Sequence, residues 1–440
     1  MRTYIKDLEL KKGEEVIIKG WIDIRRDQGK LIFFDFRDMT GKVQGVVLPG
    51  SLAKETAEKT RPEWVVEVKG KVNERPEKNR QADKQNGNIE LEILEVTILS
   101  QAQEVPFDMD AEINLETHFD YLPFTLRSEK TKDVFKLQAT IVEEYRESLR
   151  RQNFTEFQAP AMVGGDAEGG AAVFKVEYFD HKAFLATSPQ FYKQIMVGAF
   201  EKAFTVAKIF RAEKSMTTRH LSELTQMDFE MGFIKDHLDV MAVLENVIRD
   251  VVNISVEKHK DIFEKNAVPF PKVGKKFPIF TLLEAQEIIE KEFGGKAVGE
   301  LDMEPEHERQ ICEYALREFD CDFVFITHFP TKKRAFYSYA DETNPELSKS
   351  FDLIFRGLEI NSGSQRIHDY NELIAKMKSR GLDEKKFSFY LQAFKYGMPP
   401  HGGCSTGLER LTMKMLNLPN VRYASAFPRD MNRIDNLLSE

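Results

Sequence analysis

Ala203-Phe204-Thr205-Val206-Ala207-Lys208-Ile209-Phe210 runs directly into Arg211-Ala212-Glu213, and after a polar loop holding Thr217-Thr218-Arg219-His220-Leu221 a second apolar run extends from Leu224 to Phe233. Two apolar runs of this length around a polar loop read as paired strands. Arg211 then leaves from the rigid end of the first strand, and Arg219 sits in a loop able to close over a ligand. A guanidinium fork binds phosphate oxygens in pairs and stays charged. A third arginine, in Gly407-Leu408-Glu409-Arg410, lies far along the chain. Any one of these alone reads as a surface ion pair; three in separate motif contexts read as a polyphosphate grip. The chain has no G-x-x-x-x-G-K-[ST] and no G-x-G-x-x-G, so phosphate binding falls to arginine. Ser188-Pro189-Gln190-Phe191-Tyr192-Lys193 and the span from Glu359 to Arg366 add polar groups suited to a small acidic zwitterion. The combination points to an enzyme that joins an amino acid to a nucleotide.

Outward from this centre, the first hundred residues alternate or run apolar at 16–22, 31–36, 43–47, 64–72 and 89–98, with a helical stretch at 51–59. Five strands with one helix in the middle predict a small OB-type β-barrel, a shape often used for single-stranded nucleic acid. An accessory barrel or sandwich without a ligand is the plain alternative. The acidic, Pro-containing stretch 103–128 reads as a hinge. Val134, Leu137, Ile141, Tyr145 and Leu149 then recur at helical spacing, and Phe154 to Pro160 reads as a strand. Asp236 to Lys258 carries a second apolar stripe of Leu238, Met241, Leu244, Ile248, Val251 and Val252, Leu283 to Phe319 is helical and charged, and strands return at 323–326 and 351–355. Strands and helices without regular βαβ alternation predict an α+β protein with an antiparallel sheet flanked by helices. The expected layout is a barrel at 1–102, a hinge at 103–128 and a catalytic domain at 129–440, with a small insertion at about 260–320.

Composition sets the class. At 440 residues and 42% hydrophobic content the chain has room for two cores. No apolar run approaches the roughly 20 residues of a membrane span, and Met1 to Asp7 lacks the apolar stretch of a secretory signal. Cys312, Cys321 and Cys404 have neither zinc spacing nor even pairing, which predicts a reducing cytoplasm. The net charge of −9 does not announce a polyanion partner; a near-neutral front and acidic remainder permit only a local contact.

Phe210-Arg211-Ala212-Glu213, Arg219-His220-Leu221 and Met227-Asp228-Phe229-Glu230 resemble motif 2 of class II aminoacyl-tRNA synthetases. Gly407-Leu408-Glu409-Arg410 resembles motif 3, and the helix leading to Pro160 resembles motif 1, which builds a homodimer interface in that class. The likeness covers nearly the whole chain and is greatest to aspartyl-tRNA synthetases of the compact archaeal type; the span from motif 2 to Asp352 is too short for the large bacterial insertion. It implies ATP as substrate, Mg²⁺, L-aspartate, tRNA(Asp), and an OB-fold that reads the anticodon.

The resemblance also implies roles. Arg211 and Arg410 serve catalysis and ATP binding, with Glu213, Arg219, His220, Leu221, Glu359 and Gly407 as further ATP contacts. Glu168, Ser188, Gln190, Lys193, Arg211, Asp228, Ser362 and Arg366 hold aspartate: Lys193 and Arg366 meet the side-chain carboxylate, Asp228 orients that pair, and Glu168, on a glycine-rich flipping loop, meets the α-ammonium. Glu359 and Ser362 bind magnesium with Asp352 in support, although two strand acids on their own read as solvated. Phe33 stacks on an anticodon base while Gln44 and Arg25 read its edge; a strand Phe is otherwise a core residue. Cys404-Ser405-Thr406 depart from the glycine and large apolar residues usual in motif 3. Asp23 stands where relatives often carry Trp or His, which leaves open whether tRNA(Asn) is charged too. Beside this reading stand an asparaginyl-tRNA synthetase, against which Lys193 argues, and a catalytically silent nucleic-acid-binding paralogue, against which the intact arginine set argues.

Overall fold

The computed structural model describes residues 1–440 apart from 83, 110, 166–171, 215, 216, 437, 439 and 440. Backbone contacts divide the chain into Met1–Glu112 and Ile113–Glu440, a boundary inside the span expected as a hinge.

In the first unit β1 (Glu15–Asp27), β2 (Ile32–Asp38), β3 (Gly41–Val47), β4 (Val65–Glu74) and β5 (Ile89–Ser100) close into a barrel in the order β1-β2-β3-β5-β4, with the short helix α1 (Lys54–Lys59) between β3 and β4. Side chains alternate across a strand, so Ile32, Phe34 and Phe36 of β2 fill the barrel while Phe33 and Asp35 stay half-buried on its outer face. Closure leaves no strand edge open. A bulge between Ile22 and Ile24 resets the β1–β2 register, so Arg26 lies opposite Phe33 and Arg25 opposite Phe34.

The second unit carries β6 (Thr155–Glu156), β7 (Met162–Val163), β8 (Lys175–Tyr178), β9 (His181–Leu185), β10 (Lys202–Phe210), β11 (Glu223–Gly232), β12 (Ile279–Thr281), β13 (Phe323–Thr327), β14 (Ser350–Phe355), β15 (Leu358–Arg366) and β16 (His401–Gly407). Eight of them form one sheet in the order β12-β13-β14-β15-β16-β11-β10-β6; β7, β9 and β8 form a separate three-stranded sheet. The large sheet is antiparallel except at its two edges, where β12 runs parallel to β13 and β6 parallel to β10. Its helices are α2 (Leu115–Asp120), α3 (Leu122–Thr125), α4 (Glu129–Arg151), α5 (Gln190–Phe200), α6 (His237–Lys258), α7 (Lys260–Lys265), α8 (Leu282–Phe293), α9 (Pro305–Phe319), α10 (Tyr370–Ser379), α11 (Ser388–Lys395) and α12 (Leu408–Met415).

α4 starts at Ser128, whose hydroxyl accepts the Thr131 N–H at 3.2 Å. Its stripe of Val134, Leu137, Ile141, Tyr145 and Leu149 is buried against α6 and the sheet. In α6 the expected stripe needs one change: Leu238 is exposed, and Val240 and Val247 join the core instead. The strand read over Phe154 to Pro160 shrinks to Thr155–Glu156, because only those residues pair with β10. The stretch expected as an insertion does not stand apart. It supplies the edge strand β12, and α8 and α9 bury Ala285, Ile289, Ile311 and Ala315 with Val324 and Ile326 of β13.

Register is what makes the site. Asp228 of β11 lies opposite Ser405 of β16, Ser405 opposite Ser362 of β15, and Ser362 opposite Asp352 of β14. Partners in one ladder row point to one face, so four residues scattered over 178 positions of sequence, from 228 to 405, share a line across the sheet. Two residues along β11, Glu230 lies opposite Gly403, which lies opposite Ser364.

Candidate functional site

That sheet face floors a cavity of about 340 Å³ whose lining includes Gln190, Lys193, Arg211, Glu359, Arg366 and Arg410. Ser188, Arg219, His220, Leu221, Ser362 and Gly407 line it as well. The structure therefore gathers most of the residues singled out in the sequence around one space.

One end is an enclosed charge network. Lys193, on the first turn of α5, is 1% exposed; its Nζ donates to Asp228 Oδ2 at 2.8 Å and to the Cys404 carbonyl at 3.0 Å, and lies 3.4 Å from Glu230 Oε2. Arg366, at the end of β15, donates from Nε to Glu230 Oε1 at 2.8 Å, from Nη1 to Ser364 Oγ at 2.6 Å and from Nη2 to the Gly403 carbonyl at 2.9 Å. Asp228 thus orients Lys193 but not Arg366, and Glu230 takes the second duty. The sequence carried a signal for Glu230: it sits two residues from Asp228 on the same strand and so on the same face. Buried charges persist when paired and hydrogen-bonded. Burial drives the Glu230 carboxyl up, but Arg366 and Lys193 outweigh it and hold it below the usual carboxylate value. Ser405, part of the motif 3 departure, donates to Asp228 Oδ1 at 2.7 Å, and Thr406 accepts from Asn361 at 2.7 Å. The replaced positions have partners of their own, and Cys404 fills the core.

The other end is cationic. Arg211 begins where β10 ends, its backbone N–H tied to the Ser222 carbonyl at 2.9 Å. Arg410, one turn into α12, donates to the Glu359 carbonyl at 2.9 Å. Arg219 donates to Glu308 Oε2 of α9 at 3.0 Å. Burial pushes the Glu308 carboxyl up to about 7, with Arg219 opposing and Glu359 reinforcing. No local pattern announces Glu308, because only the packing of α9 brings it to Arg219. Arg334, in the basic run Lys332-Lys333-Arg334, was also unforeseen. It forks onto Asp352, Nη1 to Oδ1 at 3.0 Å and Nη2 to Oδ2 at 2.6 Å, reaches Ser362 Oγ at 3.1 Å, and lies over the Phe329 ring at 3.8 Å.

Of the expected metal set, Asp352 is forked by Arg334 through both carboxylate oxygens, Ser362 Oγ accepts from the same arginine, and Glu359 Oε2 lies 3.6 Å from Arg410 Nη1. Desolvation and then the neighbouring Asp352 push the Glu359 carboxyl up against the pull of Arg410, so a divalent cation would relieve it. Among the described residues no group of three or more His, Cys, Asp or Glu is placed to hold a metal. One carboxylate and one hydroxyl fit Mg²⁺, which takes its remaining ligands from phosphate and water.

Other expectations land elsewhere. Glu213 is exposed and outside the cavity lining. Glu168 and its glycine-rich loop lie outside the described residues. In the barrel, Phe33 and Gln44 are half-buried on the outer face, with Gln44 Nε2 3.5 Å from Glu90. Arg25 does not flank Phe33: its register partner is Phe34 on the inward side, and its Nε donates to the Ala57 carbonyl at 3.2 Å. Arg26 is the arginine beside Phe33. Asp23 pairs with Lys42 at 2.6 Å.

Residues 114–431 match the family of class II tRNA synthetases (D, K and N), and residues 16–99 match the OB-fold nucleic acid binding domain. An aspartate–tRNA(Asp/Asn) ligase of Thermus thermophilus is 42% identical over 99% of this chain and 100% of its own length. An aspartate–tRNA(Asp) ligase of Picrophilus torridus is 39% identical over 99% of this chain and 100% of its own. Among solved structures, the asparaginyl-tRNA synthetase of Pyrococcus horikoshii with asparaginyl-adenylate superposes with a TM-score of 0.91 at 30% identity, covering 99% of each chain. The aspartyl-tRNA synthetase of Entamoeba histolytica gives 0.88 at 26% identity, covering 99% of this chain and 92% of that one.

Proposed function

The chain belongs to the class II aminoacyl-tRNA synthetases, in the group for aspartate, lysine and asparagine, and from that footing we propose that it activates L-aspartate with ATP and transfers it to tRNA(Asp). The observation that carries the choice of amino acid is the enclosed Lys193–Arg366 pair. An unpaired charge in such a site is costly, and a site built for one hydrogen-bonding pattern rejects the analogue that lacks it. Both cations already face an acid, Asp228 or Glu230, and a substrate carboxylate adds only acceptors to their donors, whereas the NH₂ of asparagine would set donor against donor.

In this reading Lys193 and Arg366 take the side-chain carboxylate, while Ser188, Gln190 and Glu168 hold the backbone end. The α-carboxylate attacks the α-phosphorus of ATP in line, pyrophosphate leaves, and an aspartyl-adenylate remains. Arg211 stabilises the negative charge that develops on the α-phosphate. Arg219 and Arg410 hold the leaving phosphates, with His220, Leu221 and Gly407 on the adenine side. Magnesium, when bound, neutralises phosphate charge, and Glu359 and Ser362 are the residues to hold it. The terminal ribose hydroxyl of the tRNA then attacks the activated carbonyl and AMP departs. All of this is positioning and electrostatics, with no protein nucleophile. Phe33 stacks on an anticodon base, with Gln44 and, from the register, Arg26 beside it; the protein works as a homodimer through α4, in the cytoplasm. Among the described residues no helix is long and apolar enough to cross a membrane.

Pyrophosphate exchange with aspartate and with asparagine tests the reading. Exchange driven by aspartate is expected; preference for asparagine would move the chain to the amide enzymes, and absence of exchange would leave the barrel's nucleic-acid binding alone. Charging of separate tRNA(Asp) and tRNA(Asn) then measures whether the second tRNA is also a substrate.

A further inference from the structure

Behind the carboxylate end of the cavity a buried polar chain joins Arg366 and Gln190 to His401, Gln194 and Tyr390, which the steps above do not use. His401 Nδ1 lies 2.9 Å from the Pro399 carbonyl, and His401 Nε2 lies 2.8 Å from Gln194 Nε2. Gln194 Oε1 accepts from Gln190 Nε2 at 2.9 Å and from Tyr390 Oη at 3.1 Å. Gln190 Oε1 in turn accepts from Arg366 Nη2 at 3.4 Å. His401 and Gln194 are 0% exposed, Tyr390 1%, Gln190 3% and Arg366 5%.

The two ends dictate the direction of every bond between them. A backbone carbonyl can only accept, so His401 carries its proton on Nδ1. The neutral ring then offers Nε2 as an acceptor, which only the Gln194 NH₂ can meet. Gln194 therefore turns its oxygen to Gln190, and Gln190 turns its oxygen to the guanidinium, which can only donate. The opposite polarity places acceptor against acceptor at the Pro399 carbonyl and donor against donor at the Arg366 guanidinium. The ring is suited to staying neutral, since burial pushes His401 down to about 4.

We propose that His401 and Gln194 are positioning residues for amino-acid selection: together they set the direction of the Gln190 amide and so hold the Arg366 guanidinium at the carboxylate end of the cavity. Neither touches substrate. The inference rests on the aspartate reading above, and the tests separate the two. In Gln194→Met the chain is cut without a large change of volume, Gln190 is free to turn its NH₂ toward Arg366, and the guanidinium loses one acceptor and gains a facing donor while Glu230, Ser364 and the Gly403 carbonyl still hold it. In Gln194→Glu the polarity survives: one carboxylate oxygen accepts from Gln190, and the other accepts from His401, which now takes a second proton.

Pyrophosphate exchange is measured for wild type and both variants with aspartate and asparagine. Gln194→Met is expected to raise KM for aspartate about tenfold, to leave kcat within about threefold, and to lower the preference for aspartate over asparagine about tenfold, the equivalent of ~1.4 kcal/mol. Gln194→Glu is expected to restore both to within about threefold of wild type. The proposal is overturned if Gln194→Met folds and keeps its preference, or if the two variants fall equally, which would mean simple packing. A readout independent of folding of the variants is ¹⁵N NMR of histidine-labelled wild type at neutral pH, where His401 is expected as the neutral Nδ1–H tautomer; the Nε2–H tautomer or a charged ring overturns the proposal. A wild type that does not use aspartate would sink the functional reading while leaving the tautomer result to stand or fall on its own.

Discussion

Replacement of Lys193 by Met tests the cation pair most directly. The ammonium is 1% exposed and serves Asp228 at 2.8 Å, the Cys404 carbonyl at 3.0 Å and Glu230 at 3.4 Å. Methionine nearly matches the volume but leaves Asp228 with Ser405 as its remaining charge-stabilising neighbour. Breaking a buried pair by removing one partner typically costs about 3–5 kcal/mol of stability. For the substrate the loss is twofold. A charged hydrogen bond to the carboxylate, worth about 1.5–3 kcal/mol, disappears. The incoming carboxylate also meets Asp228 and Glu230 with Arg366 as sole cation. Together these amount to ~4 kcal/mol, a fall in kcat/KM for aspartate of about a thousandfold. Asparagine, whose amide needs no counter-charge, should lose only about tenfold, so the ratio moves by about a hundredfold. Pyrophosphate exchange with both amino acids, on protein shown folded by thermal melting, measures this. A folded Lys193→Met enzyme that keeps its aspartate preference within about threefold would refute the assignment of the pair to substrate charge.

Glu308→Gln probes the acid that holds Arg219. Its carboxyl is raised to about 7, so below about pH 4.5 it is neutral in both folded and unfolded chains, and the penalty for burying its charge grows as pH rises to 7. The wild type minus variant difference in unfolding free energy is expected to fall by ~3 kcal/mol between pH 4.5 and 8; a flat difference in denaturant titrations contradicts the placement. His401 and His237, each pushed down to about 4 chiefly by burial, act in the opposite direction. Their contribution is present above pH 6.5 and lost as pH falls toward 4, when the unfolded chain binds protons the folded one does not; replacing His237 by Gln should flatten the acid limb of a stability–pH curve. In the barrel, Phe33→Ala should weaken tRNA binding by about 1–3 kcal/mol with little change in melting, whereas Phe34→Ala, in the core, should cost about 3–5 kcal/mol of stability; filter binding and melting of both variants separate the roles. Gly403→Ala should destabilise the pocket outright, because its Cβ would stand 2.1 Å from Glu230 Oε2 and 2.2 Å from the Phe229 carbonyl; a variant with unchanged melting and aspartate KM contradicts that packing.

Much of the molecule was legible in the chain itself. The alternation of Ile32, Phe34 and Phe36 against Phe33, and the stripe of Val134, Leu137, Ile141, Tyr145 and Leu149, depend on local geometry alone, so the barrel and the long helix follow from spacing. The arginines at 211, 219 and 410 stand in distinctive local contexts that mark them as candidates, whereas the Lys193–Arg366 pair was marked by the resemblance to a known family. Partnership carried no such mark. Glu230 rather than Asp228 holds Arg366, Arg334 takes both Asp352 oxygens, Glu308 meets Arg219, and Arg26 rather than Arg25 flanks Phe33. Each of these turns on a strand register, a bulge or a helix packing that joins positions remote in sequence, and the energy of a buried charge depends on those neighbours rather than on the residues beside it in the chain.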